Sequence, residues 1–461
     1  MRTIRDHNRV LCEGLTSIRQ QFRLPAGFPA DAEAEAADAA RGKLDGYTDA
    51  THLPFVTLDP AQSRDLDQAF AIEEAGNDIL LHYAIADVGS FVPTNSAIDR
   101  EAWARGTSFY LPDGKVPLYP PVLGDSAASL LPDGDRRSVI FTVRVDPAGE
   151  ARLEGARRSY IRSRAKLAYE TVREEELPAG FAELSDRIEA AELARGAARI
   201  EPPEQEIVQE DGVFLLRLRP QTWAEQKNAA LSLATNLAIA KTMIQAKTGL
   251  FRTMAEPQDW AVRRLRHTAK ALGLAWPKKQ GLQELELRLD PSKPADAAMM
   301  LAIRRASPGA AYQPFKEAEL PWHAAVAAPY AHATAPLRRL ADRYVVEAVL
   351  AIASGRDVPA FIRESFERLP DVMQKAGNLS GQIARAVIDL AEAVTLQGRE
   401  GVYFAAVVTD VDQRGARIQV QSPPVVARIK ASNLLPGQEV TVRLESVDPE
   451  TRSIYFSTVW R

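Results

Sequence analysis

The spacing of hydrophobic positions changes along the chain, and its first part predicts helices. Helical spacing covers residues 1 to about 45, with a break at the segment LPAGFP and an alanine-rich stretch from Asp31 to Lys43. Alanine and glutamate at this spacing are typical of a plain packing hairpin, and the segment also fits a helix-turn-helix-like binding module. Residues 1–45 are therefore predicted to form a small N-terminal helical region.

The middle of the chain combines two patterns. From about residue 50 to 150, short apolar runs separated by proline, glycine and aspartate predict strands, and the clearest are PFVTL, QAFAI, ILLHYAIADV and SVIFTVRV. From about 160 to 395 helical spacing dominates, interrupted by a hairpin-like segment, EIVQEDGVFLLRL. Long helices are predicted near residues 181–199, 222–247, 258–272, 296–306 and 334–354. Residues 46–395 are therefore predicted to form one α+β domain.

The tail changes again, to short strands. Five apolar runs follow about Glu400, separated by the turn signals DQRG, LPGQ and DPETR. Five short strands with such turns match a small five-stranded OB barrel. The sequence therefore predicts an α+β multi-domain protein whose residues 396–461 form this barrel.

Composition limits the chemistry and the location. The chain has 461 residues, a net charge of −4 and a single cysteine, Cys12, which excludes an intrachain disulfide framework and any multi-cysteine zinc site. No apolar run reaches the roughly 18 residues that span a bilayer, and the N-terminus lacks the apolar block of a signal peptide. We expect a cytoplasmic monomer without membrane contact, in which local basic surfaces would hold any nucleic acid.

Three aspartates lie close together in the segment TLDPAQSRDLDQAFAI. Asp59 is predicted at the end of a strand, and Asp65 and Asp67 fall in the loop before the next strand. Locally extended residues two apart face the same side, and Mg²⁺ in proteins takes one or two carboxylates and completes its shell with water and phosphate. Such a site suits phosphodiester hydrolysis, whereas a solvated aspartate-rich turn is the structural alternative for the same pattern.

Two sequence blocks resemble the ribonuclease II (RNB) family of bacterial exoribonucleases. The first runs through TLDPAQSRDLDQAF, YAIADVGSFV, IDREAWARGTSFYLPDGKVPLYPPVL and SLLPDGDR, and the second is HATAPLRRLADRYV. The predicted C-terminal barrel is similar to the S-one type RNA-binding domain that ends many members. This resemblance implies Mg²⁺-dependent, processive 3′→5′ hydrolysis of single-stranded RNA to nucleoside 5′-monophosphates, in RNA decay and processing.

Family members commonly begin with two cold-shock-like OB domains, for which residues 1–45 leave no room. The resemblance therefore implies a more open entrance to the RNA channel. An open entrance would also admit partly structured RNA.

The resemblance assigns roles to the residues of both blocks. Asp59, Asp65 and Asp67 would hold one or two Mg²⁺ ions, for which Mn²⁺ can substitute. Asp67, Asp65 and Arg338 would carry the catalysis, with the planar fork of Arg338 on the scissile phosphate. Gln68 stands where the family has a fourth acid, so it would contact RNA without adding a negative charge.

Four further RNA contacts are implied, three of them with a structural alternative. Tyr110 would stack near the 3′ end of the RNA, unless it is a buried core tyrosine, and Tyr312 would line the same channel. Arg339 and Arg343 lie on the same predicted helix as Arg338 and would grip neighbouring phosphates, unless that basic face is only solvated. Four other polar residues are interpreted as structural: Asp87, Asp99, His323 and His332.

Two other functions remain open at this point. An RNA-binding protein that has lost nuclease activity is one, because Gln68 replaces an acid. A DNA-directed or endonucleolytic phosphodiesterase is the other, because a metal-carboxylate site does not by itself choose the sugar.

Overall fold

The structure is a computed structural model. It describes residues 3–4, 10–42, 46–197, 204–210, 213–219, 221–291, 293–420, 422–431 and 433–459.

Helices and strands follow one another along the chain in the order that their numbers give. The helices are α1 (Val10–Gln21), α2 (Ala30–Arg41), α3 (Ala97–Arg105), α4 (Phe181–Arg195), α5 (Trp223–Gln245), α6 (Asp259–Ala271), α7 (Leu282–Glu286), α8 (Pro294–Ala306), α9 (Leu340–Ala353) and α10 (Ala360–Leu396). The strands before α5 are β1 (Thr3–Ile4), β2 (Thr48–Asp49), β3 (Thr57–Asp59), β4 (Gln68–Ala75), β5 (Asp78–Ala86), β6 (Phe109–Leu111), β7 (Gly114–Val116), β8 (Arg136–Val145), β9 (Ala151–Ile161), β10 (Lys166–Ala168), β11 (Glu204–Glu210) and β12 (Val213–Arg219). The later strands are β13 (Leu250–Thr253), β14 (Ala311–Pro314), β15 (Trp322–His323), β16 (Ala328–Pro329), β17 (Tyr403–Asp412), β18 (Gly415–Val420), β19 (Val426–Ile429), β20 (Glu439–Asp448) and β21 (Ser453–Val459).

A five-stranded sheet in the order β2-β9-β8-β5-β4 forms the centre of the α+β domain. Neighbouring strands β4, β5, β8 and β9 run antiparallel, and β5 and β8 carry the long apolar runs that predicted them. Helix α5 begins with a capping box between Thr222 and Glu225 and packs across β8 and β9. Its apolar residues are buried nearly all round, which identifies it as a core helix.

The N-terminal helices pack on the body of the protein. Leu11 and Leu15 of α1 are fully buried against α10, and a Cβ on Gly14 would lie 2.6 Å from a methyl group of Leu390. Helix α2 packs on α3, whose first N–H groups, at Ala97 and Ile98, donate to the Glu35 carboxylate. The predicted helices are present. Because their apolar faces pack against the rest of the protein, the structure favours the packing hairpin over the helix-turn-helix-like binding module.

The C-terminal strands form the predicted barrel. Their order is β19-β18-β17-β20-β21, all antiparallel, and β19 and β21 approach each other so that the barrel is nearly closed. The 37-residue helix α10 leads into it and contributes to three hydrophobic clusters in turn, through Phe366, Ile383 and Leu396. The predicted α+β multi-domain fold with an OB-like barrel is confirmed.

Two helical predictions need correction. The helix predicted over 334–354 begins only at Leu340, because Pro336 disfavours helical geometry at the residue before it and the Asp342 carboxylate accepts from the Ala335 N–H at 2.8 Å. Arg338 and Arg339 therefore precede this helix. Helix α10 was not predicted as one element, since Pro370 lies inside it and proline removes a backbone donor.

None of the helices in the described ranges combines the length and the apolar composition needed to cross a bilayer.

Candidate functional site

The three aspartates lie at the end of β3 and in the loop that leads to β4. Asp59 is the last residue of β3, which pairs in parallel with β10. The loop is fixed by Ser129, whose hydroxyl accepts from the Leu66 N–H at 2.9 Å and donates to the Arg64 carbonyl at 2.6 Å. The backbone carbonyl of Asp67 accepts from the Ala86 N–H on β5 at 2.9 Å. The aspartates are thus held by the sheet and are not on a free surface loop.

Asp67 is the most buried of the three aspartates, at 4% exposed. Its Oδ1 accepts from the Leu337 N–H at 2.7 Å, and its Oδ2 lies 3.5 Å from Arg338 Nε. Burial raises the pKa of Asp67 to about 8, although Arg338 and the Leu337 N–H favour the carboxylate. A carboxylate kept away from water in this way gains much from a cation.

Asp59 carries an unsatisfied oxygen. Its Oδ2 is buried and has no hydrogen-bond partner among the described residues. Burial raises the pKa of Asp59 to about 7, Asp65 adds to the rise, and Arg338 and Lys166 oppose it. Buried polar atoms normally have a partner, so this oxygen suits a ligand from outside the chain.

The donor set fits a hard divalent cation such as Mg²⁺. Asp59 and Asp67 supply buried carboxylate oxygens, and Mg²⁺ needs only one or two of these beside water and phosphate. Within the described ranges, no three His, Cys, Asp or Glu side chains converge closely enough to hold a metal together. A closed protein cage of the zinc or calcium type is therefore not formed here.

Asp65 is held by the β6–β7 hairpin. Its Oδ2 accepts from the Tyr110 hydroxyl at 2.8 Å and lies 3.0 Å from Lys115 Nζ. Tyr110 and Lys115 are directly paired across the hairpin, and Lys115 also contacts Asp125 at 2.5 Å. The sequence analysis missed Lys115, although the Pro-Asp-Gly turn between the strands is a hairpin signal that could have paired it with Tyr110.

The Tyr110 side chain combines a fixed hydroxyl with an open ring. The residue is 53% exposed, so the alternative of a buried core tyrosine is wrong. Burial of the hydroxyl, followed by the nearby carboxylates of Asp65 and Asp67, raises the pKa of Tyr110. The phenol therefore stays protonated and donates to Asp65 while the ring faces solvent.

Arg338 brings the second sequence block to the first. Its carbonyl accepts from the Thr107 hydroxyl at 2.7 Å and from the Ser108 N–H at 3.0 Å, just before β6. The Arg338 side chain is 50% exposed, and its Nε lies 3.5 Å from Asp67 Oδ2. A half-exposed guanidinium next to two buried carboxylates can contact both the site and an incoming phosphate.

Gln68 and Arg338 both line a cavity of about 400 Å³. Gln68 Oε1 accepts from the Tyr83 hydroxyl at 2.6 Å. The cavity wall includes Asn228, whose Nδ2 donates to the Tyr169 hydroxyl at 2.8 Å while its Oδ1 is buried without a partner among the described residues. The predicted RNA contact of Gln68 stays a prediction, with the side chain placed in a polar cavity beside Arg338.

The structure does not bring the two other arginines into the site. Arg343 is correctly placed on helix α9, but its side chain is 5% exposed and donates to Asp99 at 2.6 Å. We therefore correct the predicted phosphate contact of Arg343, because a buried and paired guanidinium is not accessible. Arg339 pairs with Asp342 through two nitrogens, and its phosphate contact stays a prediction.

The remaining predicted residues lie in polar networks. Tyr312 shares a hydrogen bond of 2.9 Å with His332 Nδ1, and its channel-lining role stays a prediction. Burial, followed by Arg339 and other arginines, lowers the pKa of His332 well below its ordinary value, so the ring is neutral. Asp87 and Asp99 have structural roles as predicted, since they pair with Arg158 and Arg343.

Comparisons with known proteins place both sequence blocks, the one with the three aspartates and the one with Arg338, in a single known domain family. A family model described as RNB domain matches residues 47–355, and one described as RNase II-type exonuclease C-terminal S1 domain matches residues 403–459. The chain is 26% identical to Ribonuclease R of Thermotoga maritima over 447 residues, which cover 90% of this chain and 63% of that protein. The chain thus spans about half to two thirds of the length of the curated relatives it matches.

Solved structures share the fold. The RNase R of Mycoplasma genitalium in complex with ribose methylated single-stranded RNA superposes with a TM-score of 0.86 at 19% identity, covering 98% of this chain and 78% of that one. The same protein in complex with double-stranded RNA gives a TM-score of 0.83 at 20% identity, covering 98% of this chain and 84% of that one.

Proposed function

Because the chain belongs to the RNB family, we propose that it is a hydrolytic exoribonuclease that shortens single-stranded RNA from its 3′ end. It acts processively, releases nucleoside 5′-monophosphates and serves in RNA decay and processing in the cytoplasm, as a monomer. The observation that carries the proposal is the contact of Asp67 with both Leu337 and Arg338, residues 270 and 271 positions further along the chain. This contact joins a cation-binding carboxylate to a phosphate-binding guanidinium.

Each residue of the site has a proposed task. Asp59 and Asp67, with Asp65 beside them, would hold Mg²⁺, which when bound supplies the Lewis-acid chemistry of phosphodiester hydrolysis, and Mn²⁺ can replace it. Arg338 orients the scissile phosphate and stabilises the charge that develops on it. The open ring of Tyr110 stacks on a base near the 3′ end, and stacking accepts any base.

The substrate proposal rests on these residues and on the structural neighbours. The Mycoplasma genitalium RNase R binds single-stranded and double-stranded RNA in its solved complexes. We extend the proposal for this chain to RNA that is partly structured. Digestion of a duplex with a short 3′ overhang tests the extension, and a full stop several nucleotides before the duplex refutes it.

The main test follows a defined single-stranded RNA labelled at its 5′ end, with Mg²⁺ present. We expect a ladder that shortens from the 3′ end and chromatographic release of nucleoside 5′-monophosphates. Asp67→Asn should abolish both, whereas Asp38→Asn, a change at a side chain that is 75% exposed on α2, should change neither. Internal cuts, or equal digestion of the matching DNA strand, would show a different phosphodiesterase.

A second candidate function is RNA binding without hydrolysis. It is favoured by one observation, that Gln68 replaces a family acid and its amide oxygen is engaged by the Tyr83 hydroxyl. The same labelled RNA separates the two functions. Retarded migration of intact RNA, with no monophosphate released by the wild type and no difference for Asp67→Asn, would establish the binding function instead.

A further inference from the structure

Lys115, to which the family resemblance assigns no role, contacts the acidic cluster directly. Its Nζ lies 3.0 Å from Asp65 Oδ2 and 2.5 Å from Asp125 Oδ1. The Lys115, Asp65 and Asp125 side chains are 21%, 13% and 23% exposed. Solvent and salt screen such a partly buried group of charges less than they screen surface ion pairs, so Lys115 is a fixed positive charge at this edge of the site.

The hairpin register delivers Lys115 to this position. Directly opposed residues of an antiparallel pair project to the same face, and Tyr110 is opposite Lys115. Both side chains bind the same oxygen, Asp65 Oδ2, at 2.8 Å and 3.0 Å. That oxygen therefore has two donors from the protein itself.

The three aspartates consequently divide into two groups. Asp65 Oδ2 is satisfied by an ammonium and a phenol hydroxyl, whereas Asp59 Oδ2 is buried without a hydrogen-bond partner in the described part of the chain. Asp67 Oδ1 accepts from the Leu337 N–H at 2.7 Å, but its Oδ2 lies 3.5 Å from Arg338 Nε, which is too long for a strong hydrogen bond. Asp59 and Asp67 are thus the carboxylates that still need a cation.

We propose that the Lys115 ammonium takes the place of a second divalent cation, so that the chain binds one Mg²⁺ through Asp59 and Asp67. The inference rests on the proposed nuclease function. Gln68 also favours a single Mg²⁺. Its neutral amide, which accepts a hydrogen bond from the Tyr83 hydroxyl, adds no charge that would attract a second divalent ion. Lys115 is a positioning residue, which fixes Asp65 and supplies a single permanent charge.

Counting bound Mn²⁺ on the full chain without RNA, by electron paramagnetic resonance, tests the proposal. Wild type should bind one Mn²⁺ per chain, and Lys115→Met, which leaves Asp65 and Asp125 without their shared cation, should bind two. Lys115→Arg keeps the charge and should still bind one. The matched control is Lys227→Met, because Lys227 also lies between two carboxylates, Asp186 at 2.5 Å and Glu189 at 3.0 Å, outside the site.

A kinetic readout accompanies the count. The order of the rate in Mn²⁺ concentration should be one for wild type and for Lys227→Met, and two for Lys115→Met. Two Mn²⁺ bound to wild type, or an unchanged count in a folded Lys115→Met, overturns the inference. If Lys115→Met does not fold, Lys115→Gln, which also removes the charge, takes its place in the count.

The two proposals fail in different ways. A wild-type chain that degrades RNA with two bound Mn²⁺ refutes the role of Lys115 and leaves the nuclease proposal intact. A wild-type chain that binds Mn²⁺ but releases no nucleotide refutes the nuclease proposal.

Discussion

Replacing Asp67 by asparagine is expected to stabilise the metal-free protein while it abolishes hydrolysis. Burial raises the pKa of Asp67 from its ordinary 3.8 to about 8, so the native state keeps this proton after the unfolded chain has lost it. Stability therefore falls as the pH rises from 3.8 toward 8. At about 1.4 kcal/mol per pH unit, Asp67 lowers the free energy of unfolding by roughly 4 kcal/mol at pH 7 and roughly 2 kcal/mol at pH 5, relative to low pH. Asparagine imitates the neutral carboxyl and avoids this cost.

Urea unfolding in EDTA, at pH 5 and pH 7, measures the effect. Asp67→Asn should exceed wild type in unfolding free energy by about 2 to 4 kcal/mol at pH 7 and by under about 2 kcal/mol at pH 5. Added Mg²⁺ should narrow the difference by stabilising wild type alone. Asp38→Asn serves as the exposed control. Equal stability of wild type and Asp67→Asn at both pH values would refute the electrostatic reasoning.

Three other changes test single contacts. Arg338→Ala should lower kcat/KM on labelled RNA by about a hundredfold, with partial recovery in Arg338→Lys, because transition-state charge loses its donor; an unchanged rate contradicts this role. Tyr110→Phe keeps the ring and should keep the final product length on a sequencing gel, whereas Tyr110→Ala, which loses about 1 to 3 kcal/mol of stacking, should lengthen it. Arg343→Met should lower the unfolding free energy by about 3 to 5 kcal/mol, because Asp99 stays buried without its partner; unchanged stability with weaker RNA binding would restore the phosphate contact.

Local sequence patterns predicted most of the fold, because each one reflects a local physical constraint. Short apolar runs marked the strands that became β4, β5 and β8, and the turn signals DQRG, LPGQ and DPETR separated the strands of the barrel. Local patterns failed where tertiary packing overrides them. Helix α10 continues through Pro370 because its apolar face packs into three clusters along the way.

The site was predicted in its residue types more than in its geometry. Spacing placed Asp59, Asp65 and Asp67 near one another, and the family resemblance added Arg338. Two features depend on pairings that no local pattern contains. Arg343 is neutralised by Asp99, 244 positions earlier, and Asp65 is neutralised by Lys115, which reaches it only through the hairpin register.

The contact between Asp67 and the Leu337 N–H has a consequence for the order in which the protein is made. It closes a loop of 270 residues, and synthesis supplies the N-terminal parts of a chain first. A nascent chain on the ribosome that ends between residues 67 and 336 contains all three aspartates but neither Leu337 nor Arg338. Under the proposed nuclease function, the messenger RNA being translated thus meets no finished site until residue 338 has been added.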